Sequence, residues 1–216
     1  AVQKLAASYE HIDPTLVGNR QRLLISEMGG KTTIQARAKA LHLDPDADPE
    51  KAKSFLKTVQ DLESKGYHFE AAEGSLELLM RRTYKHFKNS FDLQKFSVLV
   101  EKETDGTLTS QATIKVKVDG KLQHTVAEGD GPVNALDKAL RKALAEFYPS
   151  VGEMHLVDFK VRVLDSQRGT AARVRVLIQS QDAQSSWWTM GVSENVIEAS
   201  WQALVDSVEY KLLKNH

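Results

Sequence analysis

HTVAEGDGPVNALDKALRKALAEFYP, residues 124–149, reads as a strand, a Gly-rich turn and an amphipathic helix. Val126 closes the strand, and Gly129, Asp130, Gly131 and Pro132 form the turn. Pro132 suits the first helical position, where its missing N–H costs nothing. Leu136, Leu140, Ala143, Leu144 and Phe147 recur at helical spacing and define one buried face. The glycines let a ligand approach the backbone, and the N–H groups at the helix start can hold an anion. A plain strand-to-helix connection without a ligand is the competing reading, and the local sequence leaves both open.

A second copy follows. TMGVSENVIEASWQAL, residues 189–204, aligns without gaps on TVAEGDGPVNALDKAL, residues 125–140. Asp130 then faces Glu194. Upstream, FSVLV from Phe96 resembles FKVRV from Phe159, and ATIKVKV from Ala112 resembles ARVRVLI from Ala172. Each half reads strand, strand, strand, helix, so the unit is duplicated. Neither half has the apolar surface of a comfortable domain on its own. Two helix starts related by pseudo-symmetry can then converge on one site.

Composition removes several function classes. Lys plus Arg and Asp plus Glu both number 29, for a formal net charge of zero, with no basic excess for nucleic acid or an anionic membrane. Cysteine is absent, which excludes disulfides, thiolate metal sites and a cysteine nucleophile. No apolar run has the length of a membrane span and no signal peptide is visible. These features fit a cytoplasmic protein. The chain starts in mid-pattern without Met, which reads as a piece of a longer protein.

Residues 1–30 form an opening segment of a first linker subdomain, with Tyr9, Glu10 and His11 as three polar-tipped groups in a row. They can serve acid–base chemistry or simply form a solvated loop. Residues 31–92 read as a helical linker subdomain. Thr32 or Thr33 caps a first helix through Ile34, Ala38 and Leu41. Asp48 caps a second with Pro49 at its first position and Phe55, Leu56, Val59 and Leu62 on its apolar face, ended by Gly66. A third carries Leu76, Leu79, Met80 and Tyr84 inward. The period then changes to two. Residues 93–216 alternate as strands in two βββα repeats, 93–149 and 154–214, with Asp119-Gly120 as a hairpin turn. The fold class is α+β: antiparallel sheets with helices on one face. A final helix runs from Asn195 to Leu213, and alternation buries one of Trp187 and Trp188 and turns the other outward.

Catalytic patterns are missing. There is no HxH, HExxH, G-x-S-x-G, P-loop or dinucleotide fingerprint. Asp130 and Glu194 sit at helix starts, where the helix dipole alone accounts for acids as caps. A duplicated β/α unit with Gly-rich turns and no catalytic group points to binding, with no metal site in this chain.

SYEHIDPTLVGN (residues 8–19), ISEMGGK (25–31), FEAAEGSLELLMRR (69–82), AEGDGPVNAL (127–136) and GVSENVIEASWQALVDSVEYKL (191–212) resemble the isopropylmalate synthase and homocitrate synthase family. The last motif resembles its citramalate branch. The resemblance covers essentially the whole chain and implies linker subdomains followed by a regulatory domain of the LeuA dimerisation type. It also implies an acetyl-CoA-dependent condensation carried out in a barrel with a divalent metal, outside this sequence. The resemblance gives Tyr9 a role in assisting catalysis in the partner subunit's barrel. It gives Val133 and Asn134 at one helix start, Leu156, Phe159 and Val163 on one strand, Thr170 and Val174 near the next, and Glu194 and Val196 at the second helix start to an effector pocket. Gly131 joins them on its local reading. Some relatives carry Tyr and Asp at positions 133 and 134 and Tyr at 159, so the pocket here is less polar. The implied effector is isoleucine, or leucine in the isopropylmalate branch, and the implied assembly is a homodimer with neither nucleic acid nor membrane as partner. A stand-alone amino-acid-binding module is the alternative from another class.

Overall fold

A computed structural model describes residues 49–84 and 87–214. Tyr9, the opening segment and the helix expected near residues 32–41 lie outside the described residues. Helix α1 (Pro49–Ser64) begins on the expected proline, and Gly66, at φ 106°, ends it. A 3-10 turn (Phe69–Ala71) leads into α2 (Glu73–Thr83). Phe55 and Val59 pack with Phe69, Leu76, Met80 and Tyr84 in a small core of their own.

Six strands follow in two sheets. The first runs β1 (Phe91–Lys102), β2 (Leu108–Val118) and β3 (Lys121–Gly129), in that order and antiparallel. The second runs β4 (His155–Val163), β5 (Val174–Gln181) and β6 (Ser186–Ser193) in the same way. Each sheet is closed by a helix, α3 (Pro132–Leu144) and α4 (Val196–Lys214). Asp119 and Gly120 both take positive φ, the backbone that a two-residue Asp-Gly hairpin requires. Strand β3 runs three residues past Val126, because its ladder to β2 continues to the Ser110–Gly129 pair. Helix α3 stops at Leu144, and Phe147 packs against the core from the turn beyond it.

The duplication is physical. Phe96 pairs with Ile114 and Ile114 with Thr125; Phe159 pairs with Ile178 and Ile178 with Thr189. The ladders shift register between Leu93 and Lys95 in β1 and between Leu156 and Asp158 in β4, the same place in each repeat. The Thr125 hydroxyl donates to the Ala139 carbonyl at 2.8 Å, and the Thr189 hydroxyl to the Ala203 carbonyl at 2.8 Å. One expectation is corrected: Ala112 corresponds to Val176, not to Ala172. The four-residue slip preserved side-chain alternation, so the pattern alone did not reveal it.

Helices α3 and α4 pack on the inner faces of their sheets and on each other through one continuous core. Ile114, Val116 and Val118 meet Leu136, Leu140 and Leu144; Val176 and Ile178 meet Leu204 and Val208. Trp187 is buried and donates to the Ser207 carbonyl at 3.2 Å, while Trp188 points the other way beneath the Lys160 ammonium. The helical pair docks along the free edge of β6 and against α4, and the turn at Gly66 reaches the outer face of the second sheet. The Met190 N–H donates to the Ser75 hydroxyl at 3.0 Å, and Arg175 donates to the Gly66 carbonyl at 2.6 Å. The second sheet is therefore covered on part of both faces.

Candidate functional site

Topology decides which of the expected site residues meet. Glu209 of α4 accepts hydrogen bonds from the Ser90 N–H and hydroxyl at 2.8 and 2.7 Å. Eight residues earlier in α4, Trp201 packs on Phe96, six residues later than Ser90, with ring centroids 5.3 Å apart. So β1 runs antiparallel to α4, and the start of α4 lies toward the Val100 end of β1. The first sheet aligns Val100 with Ser110 and Ser110 with Gly129, which places the start of α3 at the same end. The second sheet aligns Val163 with Val174 and Val174 with Ser193 there too. Arg168, in the 3-10 turn Ser166–Ala171 that carries Thr170, pairs with Glu194 at 3.1 Å. Gly131, Val133, Asn134, Val163, Thr170, Val174, Glu194 and Val196 thus share one end of the molecule.

Leu156 does not. It pairs with Ser180 at the opposite end of β4, and Phe159 lies between. At about 3.3 Å per residue, Leu156 and Val163 stand roughly 20 Å apart. Leu156 and Val163 of one chain therefore do not form a single aliphatic wall for one amino acid, contrary to the sequence expectation.

The two helix starts differ chemically. In α4 the Asn195 side chain caps, accepting from the Ile197 N–H at 2.8 Å and the Glu198 N–H at 3.3 Å. In α3 Gly131 stands at the cap position with extended backbone, φ −163°, and no side chain caps the helix. Asn134 is occupied differently, its Oδ1 accepting from the Asp130 N–H at 3.2 Å. The acids Asp130 and Glu194 are not caps, a second correction: they precede the cap, and Glu194 serves an exposed ion pair. A β-carbon at Gly131 would meet nothing within 4 Å. The α3 start therefore has no side-chain cap for its first N–H groups, and Gly131 places no side chain beside them.

Beside this end lies a bare strand face. Helix α4 sits on β5 and β6, so the helix-side residues of β4 stay uncovered: Phe159 is 38% exposed, Val161 47% and Val163 52%. Edge position and apolar character together mark a surface that a partner covers.

Sequence reasoning missed a cavity between α2 and α4. Arg82 of α2 pairs with Asp206 of α4 at 3.1 Å, and the Tyr67 hydroxyl donates to Gln202 at 3.1 Å. Burial pushes the Asp206 carboxyl up, against the pull of Arg82. Burial and the nearby Asp206 and Glu198 push the Tyr67 hydroxyl up as well, so it stays a neutral donor at physiological pH. The two pairs are 124 and 135 residues apart in sequence, and no local signal links them.

Among the described residues no three His, Asp or Glu gather to hold a metal ion. Among the same residues no helix is long and apolar enough to cross a membrane.

Comparison with known proteins adds a family. The model of the LeuA allosteric (dimerisation) domain matches residues 70–212. The (R)-citramalate synthase of Aquifex aeolicus is 48% identical over 216 residues, covering 100% of this chain and 41% of that protein. That of Geobacter sulfurreducens is 49% identical over 216 residues, with 100% and 41% covered. The 2-isopropylmalate synthase of Methanocaldococcus jannaschii is 24% identical over 213 residues, with 97% and 39% covered. The chain spans about two-fifths of the length of these curated relatives. The matched family covers both βββα repeats and the helix that docks against them, and the chain belongs to the LeuA allosteric (dimerisation) domain family.

Proposed function

We propose that this chain is the effector-sensing and dimerising part of a cytoplasmic citramalate synthase. The observation that carries the reading is similarity along the whole chain to (R)-citramalate synthases, within a domain family described as allosteric. The full enzyme joins acetyl-CoA to pyruvate, with a divalent metal held outside this chain, and Tyr9 assists in the partner's barrel. The chain senses the end product, isoleucine, and pairs with a second copy of itself. Leucine is the second reading, favoured by the weaker likeness to a 2-isopropylmalate synthase.

The binding chemistry follows from the unequal helix starts. The effector carboxylate takes the N–H groups of Val133 and Asn134, where no side chain competes. Such charge-assisted bonds are about twice as strong as neutral ones. The α4 start is already satisfied by Asn195. The ammonium faces Asp130 or Glu194, and the aliphatic chain lies on Val163 and Val174. Each buried methylene contributes roughly 0.8 kcal/mol. The homodimer forms over the bare β4 face, with Phe159 and Val161 in the contact.

Isothermal calorimetry of the chain with isoleucine, leucine and valine tests this. Isoleucine should give a saturable heat that Val163→Ala weakens about fourfold to fifteenfold, as one or two lost methylenes imply. Isoleucine binding that is unchanged in a folded Val163→Ala protein removes the pocket from this end of the molecule. The chain alone should release no thiol from acetyl-CoA and pyruvate. It should also sediment as a dimer at micromolar concentration.

A further inference from the structure

The outer face of the second sheet, turned away from α4, carries a pair of arginines. Arg162 on β4 and Arg175 on β5 are direct partners in the ladder. Val161, Val163, Val174 and Val176 take the helix side, so alternation turns both arginines outward. Residues directly opposite stand about 4.5–5.5 Å apart at Cα, and like charges there are destabilising. The duplicated fold does not require the pair, since the same positions of the first repeat hold Leu99 opposite Gln111.

Arg175 is fixed in place. Its Nε donates to the Gly66 carbonyl at 2.6 Å, and Arg173 Nη1 donates to the Lys65 carbonyl at 3.0 Å. Two arginines thus pin the turn that ends α1 onto the sheet. The turn lies tight on this face, because a β-carbon at Gly66 would run into Leu164. Burial, and then the charge of Arg162, pull the Arg175 guanidinium below its ordinary value. Its Nε bond leaves both Nη groups for another acceptor. The neighbouring acids are engaged: Asp165 pairs with Arg173 at 2.8 Å, and Asp158 with Lys160 at 2.7 Å. Among the described residues no ion pair or hydrogen bond answers Arg162, and none answers the ammonium of Lys65 on the pinned turn.

We propose that Arg162 and Arg175 bind a phosphate dianion, free or as a monoester, with its oxygens bridging the two guanidiniums. A monoanion would cancel only one of the two charges. A tetrahedral dianion answers both and offers several acceptor oxygens to two planar forks. Because Arg175 also holds Gly66, an occupied site ties the edge strand β4 to the helical pair. The site lies on the face opposite the bare β4 row and does not depend on the effector and dimer readings given above.

Calorimetry of the chain tests this at about pH 8, where a phosphate is doubly charged. Sodium chloride holds the ionic strength fixed, and the probes are inorganic phosphate, phenyl phosphate, dimethyl phosphate and acetate. The first two should give saturable heats in the millimolar range, and the tighter of them shows whether the natural group is free or esterified. Dimethyl phosphate, a tetrahedral monoanion, and acetate should bind far more weakly. Arg162→Gln should weaken phosphate about tenfold or more, as lost hydrogen bonds from a charged group imply. Lys117→Gln, on the outer face of the first sheet, should leave it unchanged. Thermal unfolding gives a second readout. At about ten times its dissociation constant, phosphate should raise the Tm of the parent by about 3–6 °C. Without phosphate, Arg162→Gln should melt at or above the parent, because the like-charge pair is gone; with phosphate the order should reverse. Phosphate binding unchanged in Arg162→Gln overturns the proposal. So does dimethyl phosphate binding as tightly as inorganic phosphate, a Tm rise that sodium chloride matches, or the absence of any saturable heat from either phosphate. Arg162→Gln melting well below the parent in phosphate-free buffer makes Arg162 a structural residue and overturns it equally.

Discussion

Gly191→Ala tests how closely the second helix is seated on its sheet. Gly191 lies on β6 opposite Val176, facing α4. A β-carbon there would stand 2.1 Å from the Ala199 carbonyl oxygen, 2.7 Å from Gln202 Cβ and 3.0 Å from the Ala199 carbonyl carbon. Two of these three atoms belong to helix backbone, which cannot swing aside, so α4 must retreat by roughly 1.3 Å to reach ordinary contact. A gap of about 0.5–1 Å already forfeits a quarter to a half of the van der Waals well. Leu204, Val208 and Leu212 are buried along this helix. At about 2 kcal/mol each, losing a quarter of their burial costs roughly 1.5 kcal/mol. The Thr189–Ala203 hydrogen bond stretches with the shift and adds about 1 kcal/mol. The expected loss is about 2.5 kcal/mol, toward the upper end of overpacking costs. Urea unfolding followed by tryptophan fluorescence measures it, with Gly131→Ala as the contrast. At Gly131 the backbone is extended and no atom lies within 4 Å of the added carbon, so the cost there is at most about 1 kcal/mol, from a weaker cap. A Gly191→Ala protein within about 0.5 kcal/mol of the parent would refute the reasoning, since it would mean that α4 yields at little cost.

Thr125→Val and Thr189→Val each remove one hydroxyl bond to a helix carbonyl and should each cost about 1 kcal/mol in urea unfolding; costs differing more than threefold would undo the equivalence of the repeats. Asp182 is almost wholly buried between Lys211 and Lys214. Burial pushes its carboxyl up, but Lys211, the N–H groups of Gln184 and Ser185, and Lys214 together hold it well below its ordinary 3.8. A depressed carboxylate contributes stability above the unfolded value that is lost as pH falls through the folded one. Asp182→Asn, which leaves Lys211 buried with only the exposed Glu153, should cost about 3 kcal/mol at pH 7. That difference should shrink as pH falls below the ordinary carboxylate value, and a difference constant from pH 7 to pH 2 would remove the ion cluster from the account.

The sequence carried the elements where one periodicity dominated. Alternation gave Ile114, Val116 and Val118 one face, and helical spacing gave Leu136, Leu140 and Leu144 another, and both faces are buried. The repeat was legible because Thr125 and Thr189 stand at the same distance before their helices, and the structure gives both threonines the same bond. Register was less legible. A slip of four residues in β5 keeps every side chain on its own face, so only the ladder fixes it. The cap of α4 was present in the sequence as Asn195, directly before Val196, but the neighbouring Glu194 drew the assignment because acids also suit helix starts. Contacts of the helical pair with β6 and α4 had no local trace. Ser75 meets Met190 and Arg82 meets Asp206 across more than a hundred residues, each by a single polar side chain with no periodicity.

The divergence of the two repeats bears on which surface a partner covers. The spacing that equates Thr125 with Thr189 also equates Asp137 with Trp201. Trp201 reaches across to Phe96 and so shields the helix-side face of β1, the leading strand of the other repeat. Asp137 does no such thing. It binds Arg141 at 2.9 Å, and Arg141 donates to the carbonyls of Val151 and Met154 at 2.8 and 2.9 Å, fastening the connection into β4. One repeat thus uses this helix position to cover a neighbouring strand, and the other uses it to hold a loop. The strand left without a cover is β4, where Phe159, Val161 and Val163 stand in a row. Burying one such side chain contributes about 1.5–3 kcal/mol, so three together exceed what a solvated edge would be expected to leave unused. The proposed two-fold partner supplies that cover. Because Val163 belongs both to this row and to the end that holds the helix starts, closing the dimer and forming the effector pocket draw on the same strand. Phe159→Asp should therefore weaken dimerisation and isoleucine binding together, as seen by sedimentation and calorimetry on one sample. A variant that becomes monomeric yet binds isoleucine with undiminished affinity would separate the two and break this link.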